Sequence, residues 1–134
     1  MARNRKSAKA AGTRFERATA DYLAKHVDDR IDRRPKTGAK DKGDIGNMRH
    51  MGGRIVAECK DSAKTMLGTW ANEAEVERGN DDALVGLVIH KRHGKGHPGD
   101  QWVTMTLRDL AALLTGQRPD DDDGAPNDTD DGAS

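Results

Sequence analysis

Aromatic residues, cysteines and long apolar runs are all scarce in this chain of 134 residues, and each scarcity narrows what the protein can be. Phe15, Tyr22, Trp70 and Trp102 are its only aromatic side chains, so a core must be assembled from aliphatic residues and alanine and will be modest. Cys59 stands alone, which excludes an intramolecular disulfide and a cysteine-based zinc finger and fits a reducing compartment. No stretch reads as a signal peptide or a membrane span, because the basic N-terminal residues are followed by no apolar segment. A soluble, cytoplasmic protein is expected.

Charge is what the chain has in abundance. Hydrophobic residues make up 34% and charged residues another 34%, with a formal net charge of zero. That zero hides an asymmetry: all 23 basic residues precede Pro119, whereas seven of the 23 acidic ones follow it, leaving residues 1–119 at +7 (23 basic against 16 acidic). An excess of this sign points to an anionic partner, most simply the phosphate backbone of nucleic acid. The length suits a single domain with one core.

Residues 1–11 hold Arg3, Arg5, Lys6 and Lys9 among small residues, and this composition predicts a flexible basic arm. Phe15, Ala18, Tyr22, Leu23 and Val27 then recur at helical spacing, predicting an amphipathic helix over 13–27 with Thr13 as its cap. Residues 30–34 read as a short strand ended by Pro35. A polar, Gly-containing loop over 36–42 leads to a strand at 44–47, and Met51-Gly52-Gly53 turns the chain into a strand over 54–60. A helix is expected over 65–78, stopped by Gly79-Asn80, followed by an apolar strand over 83–89 of the kind covered on both faces. Gln101–Met105 reads as a further strand, and a helix over 107–115 is opened by Thr106 and Asp109 in capping-box spacing. Residues 118–134, rich in Asp, Gly, Pro and Asn, are expected to form a disordered acidic tail. The order is α-β-β-β-α-β-β-α, an α/β fold with a mixed central sheet flanked by helices, folded within 12–117.

The chemistry concentrates in Gly43-Asp44-Ile45 and in Ile55-Val56-Ala57-Glu58-Cys59-Lys60. Side chains alternate along a strand, so Val56, Glu58 and Lys60 share one side while Ile55, Ala57 and Cys59 share the other. A carboxylate and an ammonium side by side on a strand that is otherwise buried are costly to desolvate unless they pair or meet a ligand. Asp44 brings a second carboxylate from a neighbouring strand, and this set suits a metal-dependent nuclease. Ordinary readings stand beside it. Glu58 and Lys60 alone would be a solvated face, Glu16 a first-turn glutamate favoured by the helix dipole, Cys59 a core residue, and Trp70 and Trp102 core or interface residues. His90, His93 and His97 lie close together but in a Gly-rich basic loop, with no cysteine or second cluster to complete a zinc site.

With Glu16 on the first helix and Asp44, Glu58 and Lys60 on adjacent strands, the chain resembles the PD-(D/E)XK nuclease superfamily. Within it, Gly12-Thr13-Arg14-Phe15-Glu16, Arg33 or Arg34, Thr37-Gly38, Gly43-Asp44-Ile45 and Ala57-Glu58-Cys59-Lys60 are similar to archaeal-type Holliday-junction resolvases and related phage endonucleases. The likeness spans about residues 8–114. Gly43 stands where the superfamily name has proline, and Thr37 near where the archaeal resolvases carry a serine.

The resemblance implies a restriction-endonuclease-like fold, Mg²⁺ (or Mn²⁺) as cofactor and catalytic roles for Glu16, Asp44, Glu58 and Lys60. The metal ligands it implies are Asp44, Glu58 and the Ala57 carbonyl, with Glu16 as an additional acid for a metal-bound water or a second ion. DNA contacts are expected from Arg14, Arg33, Arg34, Lys36, Thr37, Lys40 and Lys42, with Lys91, Arg92 and Lys95 as further cations. Branched DNA, in particular a four-way junction, is the implied substrate, cut by a homodimer in a bacterial or phage-infected host cell. The alternatives are a nuclease of the same superfamily acting on duplex or flap DNA and a non-catalytic DNA-binding module with the same fold.

Overall fold

A computed structural model of the chain describes residues 4–35 and 42–120. Its first element, α1 (Arg5–His26), begins well before the predicted helix, and the expected basic arm is helical from Arg5 onward. The reason lies in residue types: Arg, Lys and Ala are strong helix formers even where nothing is buried, and Asn4 supplies the cap, its side chain accepting the Ser7 N–H at 2.8 Å. Thr13 therefore lies inside the helix rather than at its start. Ala11, Phe15 and Thr19, four residues apart, form the buried stripe together with Ala20.

The sheet runs β1 (Asp32–Arg33), β2 (Ile45–Gly46), β4 (Gly53–Lys60), β5 (Val85–His90) and β6 (Trp102–Thr104), with β3 (Arg49–His50) pairing with β4. Among the described residues only β4 and β5 are parallel, joined across α2 (Leu67–Asn80); the other pairs are antiparallel. The expected mixed sheet with flanking helices is present. It has one strand more than predicted, because β3 is a two-residue strand with no apolar alternation to announce it. The Met51-Gly52 turn closes the β3–β4 hairpin with both residues at positive φ (51° and 81°), as two-residue hairpin loops require.

Each side of β4–β5 is covered by a different layer. Ala57, Cys59, Val85, Leu87 and Ile89 join Phe15, Ala20 and Ala112 in the main core, with Ile55 packed against it. On the opposite side Trp70 and Ala74 of α2 pack on Val88. Gly86 allows this approach, since a Cβ there would lie 2.8 Å from the Ala74 carbonyl. The helix α3 (Leu107–Thr115) is capped by Thr106 and ends at Gly116, whose φ is 78°. Arg118, expected in the tail, is instead anchored: its guanidinium donates to the Leu84 carbonyl at 3.0 Å and to the buried Asp109 at 2.5 Å. The rest of the predicted tail, from 121 onward, lies outside the described residues, as do Lys36, Thr37 and Lys40. Among the described residues, no helix is long and apolar enough to cross a membrane.

Candidate active site

Glu58 and Lys60 extend from the α2 side of β4, aligned with Val88 and His90 of β5. Glu58 is 8% exposed, and its carboxylate lies 3.5 Å from the Lys60 ammonium. Lys60 also reaches Glu73 of α2 at 2.7 Å. Burial opposes the charge on Lys60, but the Glu73 hydrogen bond and the Glu58 and Glu73 charges outweigh it and hold the amine above its ordinary value. Lys60 is therefore an ammonium at neutral pH, suited to stabilising negative charge rather than to accepting a proton.

Asp44 arrives from the start of β2 and is almost completely buried, at 1% exposure. Its N–H donates to the Ala57 carbonyl at 2.8 Å, and its carboxylate accepts the Cys59 N–H at 2.7 Å. The carboxylate thus touches the peptide that joins Glu58 to Cys59. Gly43 makes this approach possible. Its φ is 94°, and a Cβ there would meet Val56 at 2.9 Å and the Ala57 carbonyl at 3.0 Å. Proline, fixed near −65°, cannot adopt that backbone.

Backbone polar groups of a strand alternate between its two edges. On β4 the Lys60 carbonyl faces β5, where it accepts the Lys91 N–H, while Ala57 faces β2. The Ala57 carbonyl, expected as a metal ligand, is engaged by the Asp44 N–H. The next carbonyl along that edge belongs to Cys59, whose own N–H is held by Asp44. Two carboxylates and a backbone carbonyl are hard oxygen donors of the kind Mg²⁺ takes, completed by water and substrate oxygens. Among the described residues no group of three or more His, Cys, Asp or Glu side chains forms a ready-made metal cage, and a Mg²⁺ site built on one or two carboxylates does not require one.

Glu16 lies across the sheet on α1, where Arg33 of β1 donates to its Oε1 from two nitrogens, at 3.1 and 3.2 Å. The charges of Asp44, Glu16 and Glu58 all bear on the Cys59 thiol, which burial, first of all, pushes well above its ordinary value. Cys59 is thus an inert core thiol. Sequence reasoning missed two participants. Glu73, on the helix after the strand, is the closest partner of Lys60; its only sequence signal is its place three residues after Trp70 on a helix that packs against the strand. Arg17 lines a cleft of about 220 Å³ together with Arg33, Arg34 and Pro35, and it pairs with Asp21 and Asp32.

The remaining expected cations are spread around this centre. Arg14 and Lys42 are exposed. Arg34 donates to the Lys42 carbonyl at 2.9 Å and lies 3.7 Å from Asp81. Arg92 stacks 4.4 Å over the half-exposed Trp102, whereas Trp70 is a core residue. The three histidines take three separate partners: His90 the Thr104 hydroxyl, His93 the Ser62 carbonyl and His97 the Gly99 N–H. Comparison with known proteins returns no match, whether to a family model, to a curated protein or to a solved structure.

Proposed function

We propose that this protein is a metal-dependent endonuclease of the PD-(D/E)XK kind that hydrolyses phosphodiester bonds in branched DNA, as a Holliday-junction resolvase does. The observation that carries this reading is the Asp44 carboxylate seated on the peptide that follows Glu58, with the Lys60 ammonium beside Glu58 on the same strand. Mg²⁺ or Mn²⁺ held by Asp44, Glu58 and the β4 edge would supply Lewis acidity toward the scissile phosphate. The chain's own share is electrostatic. Lys60 offers a fixed positive charge where negative charge builds during attack, Glu73 keeps that ammonium in place, and Arg33 holds Glu16 at the margin of the site. Basic side chains at the mouth (Arg14, Arg17, Arg34 and Lys42) would position phosphates without reading sequence.

A four-way junction has two equivalent strands to cut, and a two-fold dimer presents two sites to them. An apolar surface on α3, where Leu107, Leu110 and Leu114 are exposed, lies in the same C-terminal region as the edge strand β6 with its exposed Trp102 and Val103. This supports a second copy as partner.

The deciding assay incubates the protein with Mg²⁺ on labelled four-way junction, flap and linear duplex, beside Asp44→Asn. Paired nicks near the branch point, absent with the variant, are expected. Cutting of every substrate alike would move the assignment to a duplex or flap nuclease, and binding without cutting would leave a DNA-binding module. Neighbouring carboxylates repel until a cation joins them, so Mg²⁺ should also raise the melting temperature of the wild type, by about 2.7 kcal/mol of added stability at a hundred times its Kd. A calorimetric scan showing the same rise for Asp44→Asn would remove the metal from this site.

A further inference from the structure

Beside the candidate active site is a cavity of about 290 Å³ between α1 and the 91–101 loop. Its walls continue the catalytic segments: Arg14 and Phe15 immediately precede Glu16, and Asp61 follows Lys60. Thr19, also in the wall, hydrogen-bonds the Cys59 thiol. Its wall is mixed in character. Arg14, which has no ion pair among the described residues, and Lys91 provide positive charge, while Ala11, Phe15, Ala18 and Pro98 provide an apolar surface.

The loop that closes the cavity is braced. The Gln101 side chain accepts the Arg92 N–H at 2.7 Å and donates to the Lys95 and His97 carbonyls at 3.0 and 2.9 Å. The Lys91 ammonium bonds the Lys95 carbonyl, which leaves it two further N–H donors. A helical turn at Pro98–Asp100 completes the wall. The cavity is therefore formed before any guest arrives, which lowers the ordering cost of binding.

From these features we infer that the cavity takes one unstacked deoxynucleotide of the strand being cut, its phosphate on Arg14 and Lys91 and its base against the Phe15–Pro98 side. This rests on the nuclease reading and names how the substrate is held. The size is at the low end of the range for ligand pockets, about 300–1,000 Å³, so there is room for one such unit and not for a duplex. Bases stack on apolar and aromatic surfaces whatever their identity, so the cavity would select unpaired structure rather than sequence. Flaps carry unpaired nucleotides and a branch point interrupts the base stack, where a nucleotide is more easily unstacked; uninterrupted duplex offers neither.

The test measures binding in EDTA, where nothing is cut, by fluorescence anisotropy on a duplex with a short unpaired stretch and on the same duplex fully paired. The wild type should prefer the unpaired substrate by about tenfold, the scale of one base–surface stack. Ala18→Trp, at an exposed helix position in the cavity wall, should bring that preference to within about twofold while duplex affinity holds, and Arg14→Ala with Lys91→Ala should lower affinity for the unpaired substrate by about tenfold. In parallel, the trinucleotide pTpTpT titrated into isotope-labelled protein should move the amide signals of Thr19, Asp61, Lys91 and Gly96 first. Equal affinity of the wild type for both duplexes, survival of the preference in Ala18→Trp, or shifts confined to the Arg17–Arg33–Arg34 cleft would each overturn the assignment. A protein that keeps the preference yet cuts nothing with Mg²⁺ would lose the nuclease reading and keep this site.

Discussion

The two sides of β4 and β5 differ in what they do although they are built by the same strands in alternation. One side, with Ala57, Cys59, Val85, Leu87 and Ile89, is closed under α1 and α3 and is wholly apolar. The other carries Val56, Glu58, Lys60, Val88 and His90, of which only Lys60 is partly exposed, with Trp70 and Ala74 of α2 packed on Val88. A charged pair persists on the second side because each member has a partner. Lys60 bridges Glu58 and Glu73, and Asp44 is satisfied by a backbone N–H. The first side fixes where the strand lies, and the second holds the Glu58–Lys60 pair on that fixed position.

That division can be broken by substitution, one side at a time. Lys60→Ala should lower cleavage by about 10²- to 10³-fold, the scale of losing one preorganised charge donor, while DNA affinity in EDTA stays within about twofold of the wild type. A parallel loss of binding would show that Lys60 holds substrate rather than serving the reaction. On the apolar side, Leu87→Ala should cost about 2–5 kcal/mol in urea unfolding with little change in the rate per folded molecule; a rate collapse in material that is still folded would mean the two sides are not separable.

Smaller effects sharpen the contrast. Gly43→Ala should destabilise the protein by about 1–3 kcal/mol through its forced positive φ and the contact with Val56, and should also weaken metal-dependent cleavage, because Asp44 is the next residue. Unchanged stability would show that the turn relaxes freely. His90, beside Lys60 in register, is held below its ordinary pKa by burial. The folded state therefore disfavours the imidazolium, and the stability His90 contributes is complete above the unfolded value of 6.5 and lost as pH falls. Urea midpoints measured from about pH 8 down to about pH 5 should decline less for His90→Gln than for the wild type, and identical slopes would exclude this histidine as the cause.

Much of the site is legible in the sequence because strand alternation is a local rule. The period of two puts Glu58 with Lys60 and Cys59 with the core, and both placements are found. The apolar run at 83–89 and the Thr106 cap mark β5 and α3 correctly for similar reasons. The features that escape such a reading depend on other signals. Residues 5–11 are polar enough to suggest an unordered arm, yet a good cap and helix-forming side chains extend α1 through them. The strand β3 is too short for periodicity to register. Composition marks 118–134 as a tail and carries no sign that Arg118 anchors to Asp109.

What the order of amino acids settles on its own is the set of residue types available and the face each occupies within its element, since propensity and periodicity act over a few neighbouring residues. Their partners come from tertiary packing alone: Asp44 on the peptide after Glu58, Glu73 on Lys60, Arg33 on Glu16, and a cavity between α1 and a loop much further along the chain. Such contacts are set by strand order and helix packing, which bring together residues distant in sequence and which no local pattern encodes.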